Sequence, residues 1–389
     1  MLANVVTLCH QTKQKMNRPI RIFATAALTA LTAVACIRPE APNAEADILT
    51  CTVPDSIMAG DVVVDNYSVR IRAKATADIS KLAPVFTITE GATITPASGS
   101  VQDFAAAKDN IIYYTVVSQD GEWKKVYPVR VVNKEIPTEY KFNGTTTDPT
   151  GSYDVFSELD INGSQVMEWA TGNPGYKLCG VARDHTEYPS VLLKDDAIGN
   201  YVKLETRSTG WFGQMVKMPI AAGNLFQGVF ELANATSKPL EATKFGETFF
   251  YQPIAVTGKY KYKAGTVFTD RAGNVVNDRQ DMFSIYALFY EADDKTPYID
   301  GNIHVTNFEH PNLISLAMLD NPHESDEWVE FVIPFVTVEG KEIDSQKLIA
   351  GKYKVGIVIS SSADGDTFQG AVGSTLYIAD LKLEYRQVF

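Results

Sequence analysis

Hydrophobic and polar residues alternate along the chain from residue 48 onward. Residues 67–73 and 111–117 place apolar side chains at every second position, and turn sequences such as Ala59-Gly-Asp61 and Gln119-Asp-Gly121 separate these runs. Alternation over four to eight residues is typical of half-buried β-strands. Because about 85 residues suffice for a small two-sheet domain, the pattern predicts a β-sandwich over residues 48–133. The polar stretch 134–140, which contains Pro137, is the predicted linker.

Predicted strands also dominate residues 141–389. Lys259-Tyr-Lys-Tyr-Lys263 alternates aromatic and basic residues, and only a weak patch near residues 313–319 has helical periodicity. The closing run 375–385 is predicted to have two faces, one with Tyr377, Ala379, Leu381, Leu383 and Tyr385 and the other with Leu376, Ile378, Asp380, Lys382 and Glu384. Many strands joined by glycine-rich turns predict a larger two-sheet jelly roll, so the whole chain is expected to be all-β.

The N-terminus has the layout of a secretory signal. Four basic residues precede an apolar run over residues 22–35, and this region contains no acidic residue; they are Lys13, Lys15, Arg18 and Arg21. The run is about two-thirds of the roughly 20 residues that a membrane-spanning helix needs. Residues 1–35 are therefore a predicted signal peptide, with either Met1 or Met16 as the start.

The segment Ala33-Val-Ala-Cys36 resembles the lipobox of bacterial lipoproteins, in which the cysteine is acylated and becomes the new N-terminus. Cys36 is thus the predicted lipidation site, and residues 36–47, with two prolines and three acids, are the predicted tether. Because Ile37 rather than an aspartate follows the cysteine, the expected location is the outer membrane, at the cell surface or on the periplasmic face. An ordinary signal with an incidental Cys36 is the alternative.

The chain is acidic, with 35 Lys and Arg against 47 Asp and Glu and a formal charge of −12. Removal of the signal removes four positive charges and leaves a charge of about −16. Such a surface repels phosphate backbones, so nucleic acid is not an expected partner. Cys51 and Cys179, which remain once Cys9 and Cys36 are set aside, are predicted to be small buried hydrophobic residues. Neither a cofactor nor a metal is expected.

Residues 86–104 and 113–129 resemble the immunoglobulin-like modules at the front of Bacteroidota surface lipoproteins. The resemblance implies that residues 48–133 form an immunoglobulin-like spacer. A binding surface that includes Trp123 or Tyr127 is the alternative. Trp123 lies between Glu122 and Lys124 near a hairpin turn, where an aromatic residue is commonly a cross-strand packing partner.

Three segments of the second region resemble the Bacteroidota family called the putative carbohydrate metabolism domain. They are residues 218–230, which begin Met218-Pro-Ile-Ala-Ala-Gly223, residues 245–263, which begin Phe245-Gly-Glu-Thr-Phe-Phe-Tyr251, and residues 360–383, which include Ser360-Ser-Ser-Ala-Asp-Gly-Asp366. The resemblance covers residues 140–389 and implies a jelly roll similar to carbohydrate-binding modules. It supplies no catalytic residue that can be carried over to this chain.

Sugars are bound by aromatic faces and by amide or carboxylate groups that contact hydroxyls. Two predicted loops have this chemistry, Glu168-Trp-Ala-Thr-Gly-Asn-Pro-Gly-Tyr176 and Ser208-Thr-Gly-Trp-Phe-Gly-Gln214. Their candidate glycan-binding residues are Trp169, Asn173, Tyr176, Trp211 and Phe212. The alternative for both loops is that the tryptophans pack in a core or an interface, because tryptophan is highly buried on average.

Carboxylates offer weaker candidates. A glycoside hydrolase needs two of them, on the order of 5 to 9 Å apart. Neighbouring acids occur at residues 158–160, 293–294 and 324–327, and solvated faces explain them as well as catalysis does. Asp364 and Asp366, on either side of Gly365, could ligate a structural calcium ion, but a turn is the simpler interpretation. His304 and His310 lie six residues apart without a third metal ligand nearby.

These observations predict an outer-membrane lipoprotein that binds or helps to process glycans through its jelly roll. Its expected partners are an oligosaccharide or polysaccharide, glycan-uptake proteins of the outer membrane, and the membrane itself through the lipid alone. One alternative is a structural or adhesive surface protein that binds other proteins. A second alternative is a glycoside hydrolase. The identity of the glycan and the oligomeric state stay open.

Overall fold

The computed structural model describes residues 41–58, 62–64, 66–74, 77–132, 135–160, 163 and 165–386. The predicted signal peptide, the lipidation site Cys36 and the turn at residues 59–61 lie outside the described residues. Among those that are described, no helix has the length and apolar character to cross a membrane.

The described part of the N-terminal region forms seven strands: β1 (Ile48–Thr52), β2 (Val63–Val64), β3 (Val69–Arg72), β4 (Val85–Ile88), β5 (Thr93–Thr95), β6 (Ile111–Val117) and β7 (Lys124–Val132). Strands β1 and β4 pair, and the other five form a sheet in the order β2-β3-β7-β6-β5. Alternate residues of the larger sheet, such as Tyr114, Val116 and Val129, are fully buried in one core with Phe86 of β4. The alternation therefore produces the predicted sandwich.

Twenty strands follow: β8 (Gly144–Thr147), β9 (Asp154–Leu159), β10 (Gln165–Ala170), β11 (Ser190–Asp195), β12 (Gly199–Glu205), β13 (Arg207–Ser208), β14 (Ile220–Ala221), β15 (Asn224–Phe230), β16 (Thr243–Phe245), β17 (Glu247–Thr248), β18 (Gln252–Lys263), β19 (Phe268–Thr269), β20 (Ser284–Glu291), β21 (Ile299–Asp300), β22 (Leu313–Met318), β23 (Ser325–Pro334), β24 (Val336–Thr337), β25 (Tyr353–Ser360), β26 (Gly370–Ala371) and β27 (Thr375–Arg386). Five short α-helices interrupt them: α1 (Asn173–Lys177), α2 (Gly210–Met215), α3 (Pro239–Ala242), α4 (Asn302–Val305) and α5 (Ser345–Ile349). The predicted all-β fold is confirmed.

Two antiparallel sheets dominate this region. The larger sheet runs β24-β22-β20-β25-β15-β10-β9-β8, and the smaller one runs β11-β12-β27-β18-β23. Their facing sides enclose the main core, which includes Ile357 from the larger sheet and Tyr260 and Leu376 from the smaller one. This arrangement has the two packed layers of the expected jelly roll.

The central strands of the larger sheet are buried on both faces. In β20, Ile285, Ala287 and Phe289 belong to the main core, whereas Tyr286 and Leu288 belong to a second cluster on the opposite face. Strand β25 alternates in the same way, with Val358 on the second face. We call this second face the outer face. Short elements, including β16, β21 and α4, cover part of it.

The two regions touch through arginine–aromatic contacts. The guanidinium carbon of Arg70 lies 4.7 Å from the ring centre of Tyr251, and that of Arg130 lies 4.8 Å from the ring centre of Phe250. Val132, the last residue of β7, is buried in the main core of the second region. The N-terminal sandwich is thus packed against the jelly roll. The predicted boundaries at residues 133 and 141 stay predictions.

Candidate functional site

A cavity lies on the outer face of the larger sheet, where β20, β25 and β15 are neighbours. Side chains from two rows across these strands form its floor. The first row pairs Ser284 with Ser360 and Ser360 with Asn224, and the second pairs Tyr286 with Val358 and Val358 with Phe226. Because paired residues on one sheet face are adjacent, a polar row lies directly beside an aromatic and apolar row.

Short elements between the strands form the walls of this cavity. Tyr176 of α1, Phe212 of α2, Pro239 of α3 and His304 of α4 line it, together with Phe368 from the loop after β25. The cavity has a volume of about 160 Å³. We call it the outer-face cavity. Its lining is mainly apolar with a few polar groups, as in pockets for small ligands.

A buried carboxylate positions the loop that follows β25. Oδ2 of Asp281 accepts hydrogen bonds from Ser362 Oγ at 2.6 Å, Ser374 Oγ at 2.7 Å and the backbone N–H of Ala371 at 2.8 Å. Burial raises the pKa of Asp281, although these donors oppose the shift. Four residues of the loop between Ser362 and Ala371 line the cavity: Ala363, Gly365, Asp366 and Phe368. Asp281 is therefore a positioning residue for the site.

The three serines of the Ser360-Ser-Ser362 motif make different contacts. Ser361 and Ser362 are fully buried, and both hydroxyls lie within hydrogen-bonding distance of Thr206 Oγ1, at 2.7 and 2.6 Å. Ser360 instead faces the cavity. The turn after them needs Gly365, because a Cβ at this position would overlap the Cβ of Ala222. The motif therefore closes one side of the cavity.

The polar groups of the wall are organised around Asp366. Its Oδ2 lies 3.0 Å from Nδ1 of His304, and both side chains keep 28% of their surface exposed. The hydrogen bond from the imidazole to Asp366 raises the pKa of His304. Asp364 forms an ion pair with Arg279. Among the described residues that line the cavity, Asp366 is the only carboxylate and there is neither Lys nor Arg.

Both regions of the chain match models of known protein families. A model described as "Putative carbohydrate metabolism domain" matches residues 141–384. The chain belongs to this family. A second model, "SGBP, N-terminal", matches residues 48–131. The predicted resemblance is therefore confirmed, and the outer-face cavity lies within the carbohydrate metabolism domain.

Two solved structures are similar to the chain. A protein from Bacteroides thetaiotaomicron, described as a putative glycoside hydrolase, is 46% identical with a TM-score of 0.64, and the match covers 90% of this chain and 100% of that one. A second protein with the same description, from Bacteroides vulgatus, is 44% identical with a TM-score of 0.62; the match covers 65% of this chain and 100% of that one. No curated protein matches the chain.

The carbohydrate metabolism domain brings together two of the predicted glycan-binding residues. Tyr176 and Phe212 both line the outer-face cavity. Tyr176 is held by a hydrogen bond from its hydroxyl to the backbone oxygen of Ser208, at 3.1 Å, and by an edge contact with Tyr188. Trp211 precedes Phe212 on α2, and 76% of its surface is exposed. The predicted loop around Trp211 is thus a short helix beside the cavity.

The other two candidates require correction. Trp169 lies on strand β10 rather than in a loop, only 2% exposed, and its indole N–H donates to Glu158 Oε1 at 3.0 Å. Its ring faces Tyr140 and Phe142 in the main core, so it has no free face for a sugar. Asn173 is fully buried, and its side-chain amide both donates to and accepts from the backbone of Ser190. The alternative of core packing therefore holds for Trp169, and burial removes Asn173 from the candidates as well.

Asp364 and Asp366 lie at the turn that was the alternative to a calcium site, and the calcium hypothesis stays a prediction. Residues Gly365–Thr367 form a 3₁₀ turn. Arg279 and His304 occupy oxygens of the two carboxylates, and these partners compete with a cation. No group of metal-ligating side chains occurs in the described part of the chain. Glu158, a candidate acid, is buried and accepts from Trp169 and two backbone N–H groups, which is a structural role.

Several cavity residues were absent from the sequence prediction. Ser284, Tyr286, Asn224, Phe226, Val358 and Ser360 form the floor, and His304 lies in the wall. Residues 284–291 and 353–360 are apolar or aromatic at most positions, and such continuous runs indicate strands that are buried on both faces. That pattern could have indicated that other elements cover the second face of the sheet. The two cysteines fit the prediction in part: Cys51 is buried, whereas Cys179 is half-buried in the cavity wall.

Proposed function

We propose that this chain binds a neutral glycan in the outer-face cavity. The observation that carries the proposal is the floor, on which the polar row Ser284, Ser360 and Asn224 lies beside the row Tyr286, Val358 and Phe226. A sugar ring has C–H faces that contact aromatic side chains and hydroxyls that exchange hydrogen bonds. Such a ring needs both kinds of group side by side. Membership of the carbohydrate metabolism domain family supports the same ligand class.

The charge of the cavity supports a neutral ligand. No Lys or Arg occurs among the described lining residues, and Asp366 contributes a carboxylate. A uronic acid or a sulfated sugar would bring a second negative charge close to Asp366, and no Lys or Arg among the described lining residues would balance it, which is costly inside a cavity. The negative net charge of the chain also disfavours an anionic ligand.

Two substitutions inside the cavity test this proposal. Ser284→Leu extends a larger apolar side chain over the polar row, and Phe212→Ala removes an aromatic wall. A glycan array followed by calorimetry should show at least about tenfold weaker binding for each variant, equivalent to about 1.4 kcal/mol. The melting temperature should change by only a few degrees, since both side chains border open space.

Val332→Ala is the matched control, because Val332 is an exposed apolar residue on β23 of the other sheet. Its affinity should equal that of the wild type. The proposal is wrong if a glycan binds and both cavity variants retain full affinity, or if no glycan in the array binds the intact chain.

Glycoside hydrolysis is the second candidate, because both solved relatives carry that description. A hollow next to the outer-face cavity is lined by Glu241, which pairs with Lys238, and by Asp366, which pairs with His304. Any glycan that binds should therefore be incubated with the chain and assayed for new reducing ends. Hydrolysis would require release that stops in both Glu241→Gln and Asp366→Asn. Binding without release supports the binding function alone.

We also propose that the chain is a lipoprotein held on the outer membrane through Cys36. The basic and apolar N-terminal pattern, the segment Ala33-Val-Ala-Cys36 and the polar tether support this proposal. The folded regions would then stand off the bilayer and expose the cavity to glycans outside it.

A further inference from the structure

We propose that the outer-face cavity takes the terminal sugar unit of a neutral glycan and that the next unit lies on Trp211. This inference rests on the proposed function and adds a minimum length and a preferred end to the ligand. Two features carry it, the small volume of the partly open cavity and an exposed apolar surface beside it.

The cavity has space for one ring. Its volume of about 160 Å³ is close to the roughly 150 Å³ of an engineered cavity that admits a single benzene molecule. The elements α1, α2, α3 and α4 stand around the floor. The remaining units of an oligosaccharide must therefore lie outside. A terminal unit has one neighbour and needs one exit, whereas an internal unit needs two.

Exposed apolar side chains lie where the second unit would emerge. On α2, Phe212 lines the cavity and the preceding Trp211 points to solvent. Met215, one turn after Trp211, is 57% exposed, and Leu178, which also lines the cavity, is 46% exposed. We call Leu178, Trp211 and Met215 the rim. Clusters of exposed large apolar residues commonly mark binding surfaces.

Helix α2 is held firmly, so Trp211 has a fixed position relative to the cavity. Thr209 Oγ1 donates to the backbone oxygen of Met218 at 2.5 Å. This hydrogen bond links the residues on either side of α2. Gly213 packs directly against this hydrogen bond, because a Cβ there would overlap the side chain of Thr209. A tryptophan on a rigid element offers a sugar a preformed face at a small entropic cost.

The dependence of binding affinity on oligosaccharide length tests the inference. The intact chain and its variants are titrated by calorimetry with linear glucose, galactose, mannose and xylose oligosaccharides of one to six units, and with cyclic glucose oligosaccharides, which have no end. For the series that binds, affinity should rise about two- to tenfold from one unit to two, as expected for one added aromatic contact. If the glucose series binds, the cyclic glucose oligosaccharides should not bind.

Trp211→Ala should abolish the gain from the second unit and leave the affinity for the single unit unchanged. Trp123→Ala is the matched control, because Trp123 is an exposed tryptophan of the N-terminal sandwich. The inference is overturned if affinity is independent of length, or if Trp211→Ala behaves like the control, while Ser284→Leu still weakens binding. If Ser284→Leu and Phe212→Ala also bind the glycan with full affinity, the result instead contradicts the proposed function itself.

Discussion

Asp281 shows how one residue can decide the shape of a site that it does not touch. Its carboxylate collects the hydroxyls of Ser362 and Ser374 and the N–H of Ala371, three donors from both ends of the cavity loop. Few side chains can replace it, since all three partners donate. The burial of Ser362 and Ser374 is therefore explained by one acceptor elsewhere in the chain.

We expect Asp281→Asn to destabilise the protein by about 2–4 kcal/mol, because both oxygens of Asp281 accept hydrogen bonds and either orientation of the amide directs its NH₂ group at a buried donor, the partners of Oδ2 or the backbone N–H of Met282. Chemical denaturation would measure this loss, and glycan affinity should fall with it as the loop shifts. Asp326→Asn, at an exposed acid of β23, should change the free energy of unfolding by less than about 0.5 kcal/mol. Equal stability of the two variants would refute the role given to Asp281.

Individual aromatic residues could be named from the sequence, but their surroundings could not. Trp169 and Trp211 both stand near glycines, yet one is a core residue and the other is exposed. What separates them is the carboxylate of Glu158, eleven residues before Trp169 and next to it across the pairing of β9 and β10. Such a partner becomes visible only when the strand register is known.

The alternation in residues 375–385 predicted a strand correctly, but it did not predict which side chains share a face. Strand β27 covers the predicted run, but Leu376 and Ile378 belong to the main core together with Leu381 and Leu383. The predicted faces therefore exchange within the strand. Asp380 has a φ of 51°, and the pairing with β18 is irregular at this point, so one extra residue reverses the sides.

The cavity floor was beyond prediction for a related reason. Residues 224, 284 and 360 become neighbours only through the antiparallel order β20-β25-β15. The weak helical patch near residue 313 likewise became strand β22, because pairing with β20 outweighs a marginal local preference. Local sequence thus specifies the elements, and long-range register specifies the site.

The contact between the two regions leads to a prediction for an isolated jelly roll. A fragment from Tyr140 to Phe389 lacks Val132, which is buried in the main core, and the arginines that cover Phe250 and Tyr251. It should still melt cooperatively and bind glycan. Its free energy of unfolding should be lower by roughly 3–5 kcal/mol than that of the mature chain, from lost burial and cation–π contacts.

Comparison with the mature chain carrying Arg70→Ala and Arg130→Ala isolates the arginine contribution. That variant should lie between the fragment and the wild type. Non-cooperative melting of the fragment would show instead that the two regions share one core.

At the scale of the whole molecule, the proposed lipid anchor at Cys36 would decide where the protein is located. Cys36→Ala should release the protein from membranes or leave it uncleaved, because the lipid is its proposed anchor. Labelling with a radioactive fatty acid should mark the wild type and the control Cys9→Ala, whose cysteine lies in the predicted signal. Equal labelling of Cys36→Ala would contradict the lipoprotein proposal.

The two faces of the larger sheet also bear on how this family could diversify. Even-numbered residues of β20 and β25 face the cavity side, and their odd-numbered neighbours fill the main core. Substitutions at Ser284, Val358 or Ser360 therefore change the ligand side without creating voids between the sheets. Mutation can explore new sugar preferences along one set of positions while selection for folding acts on the other. Under the proposed function, relatives with the same core would thus be free to recognise different glycans.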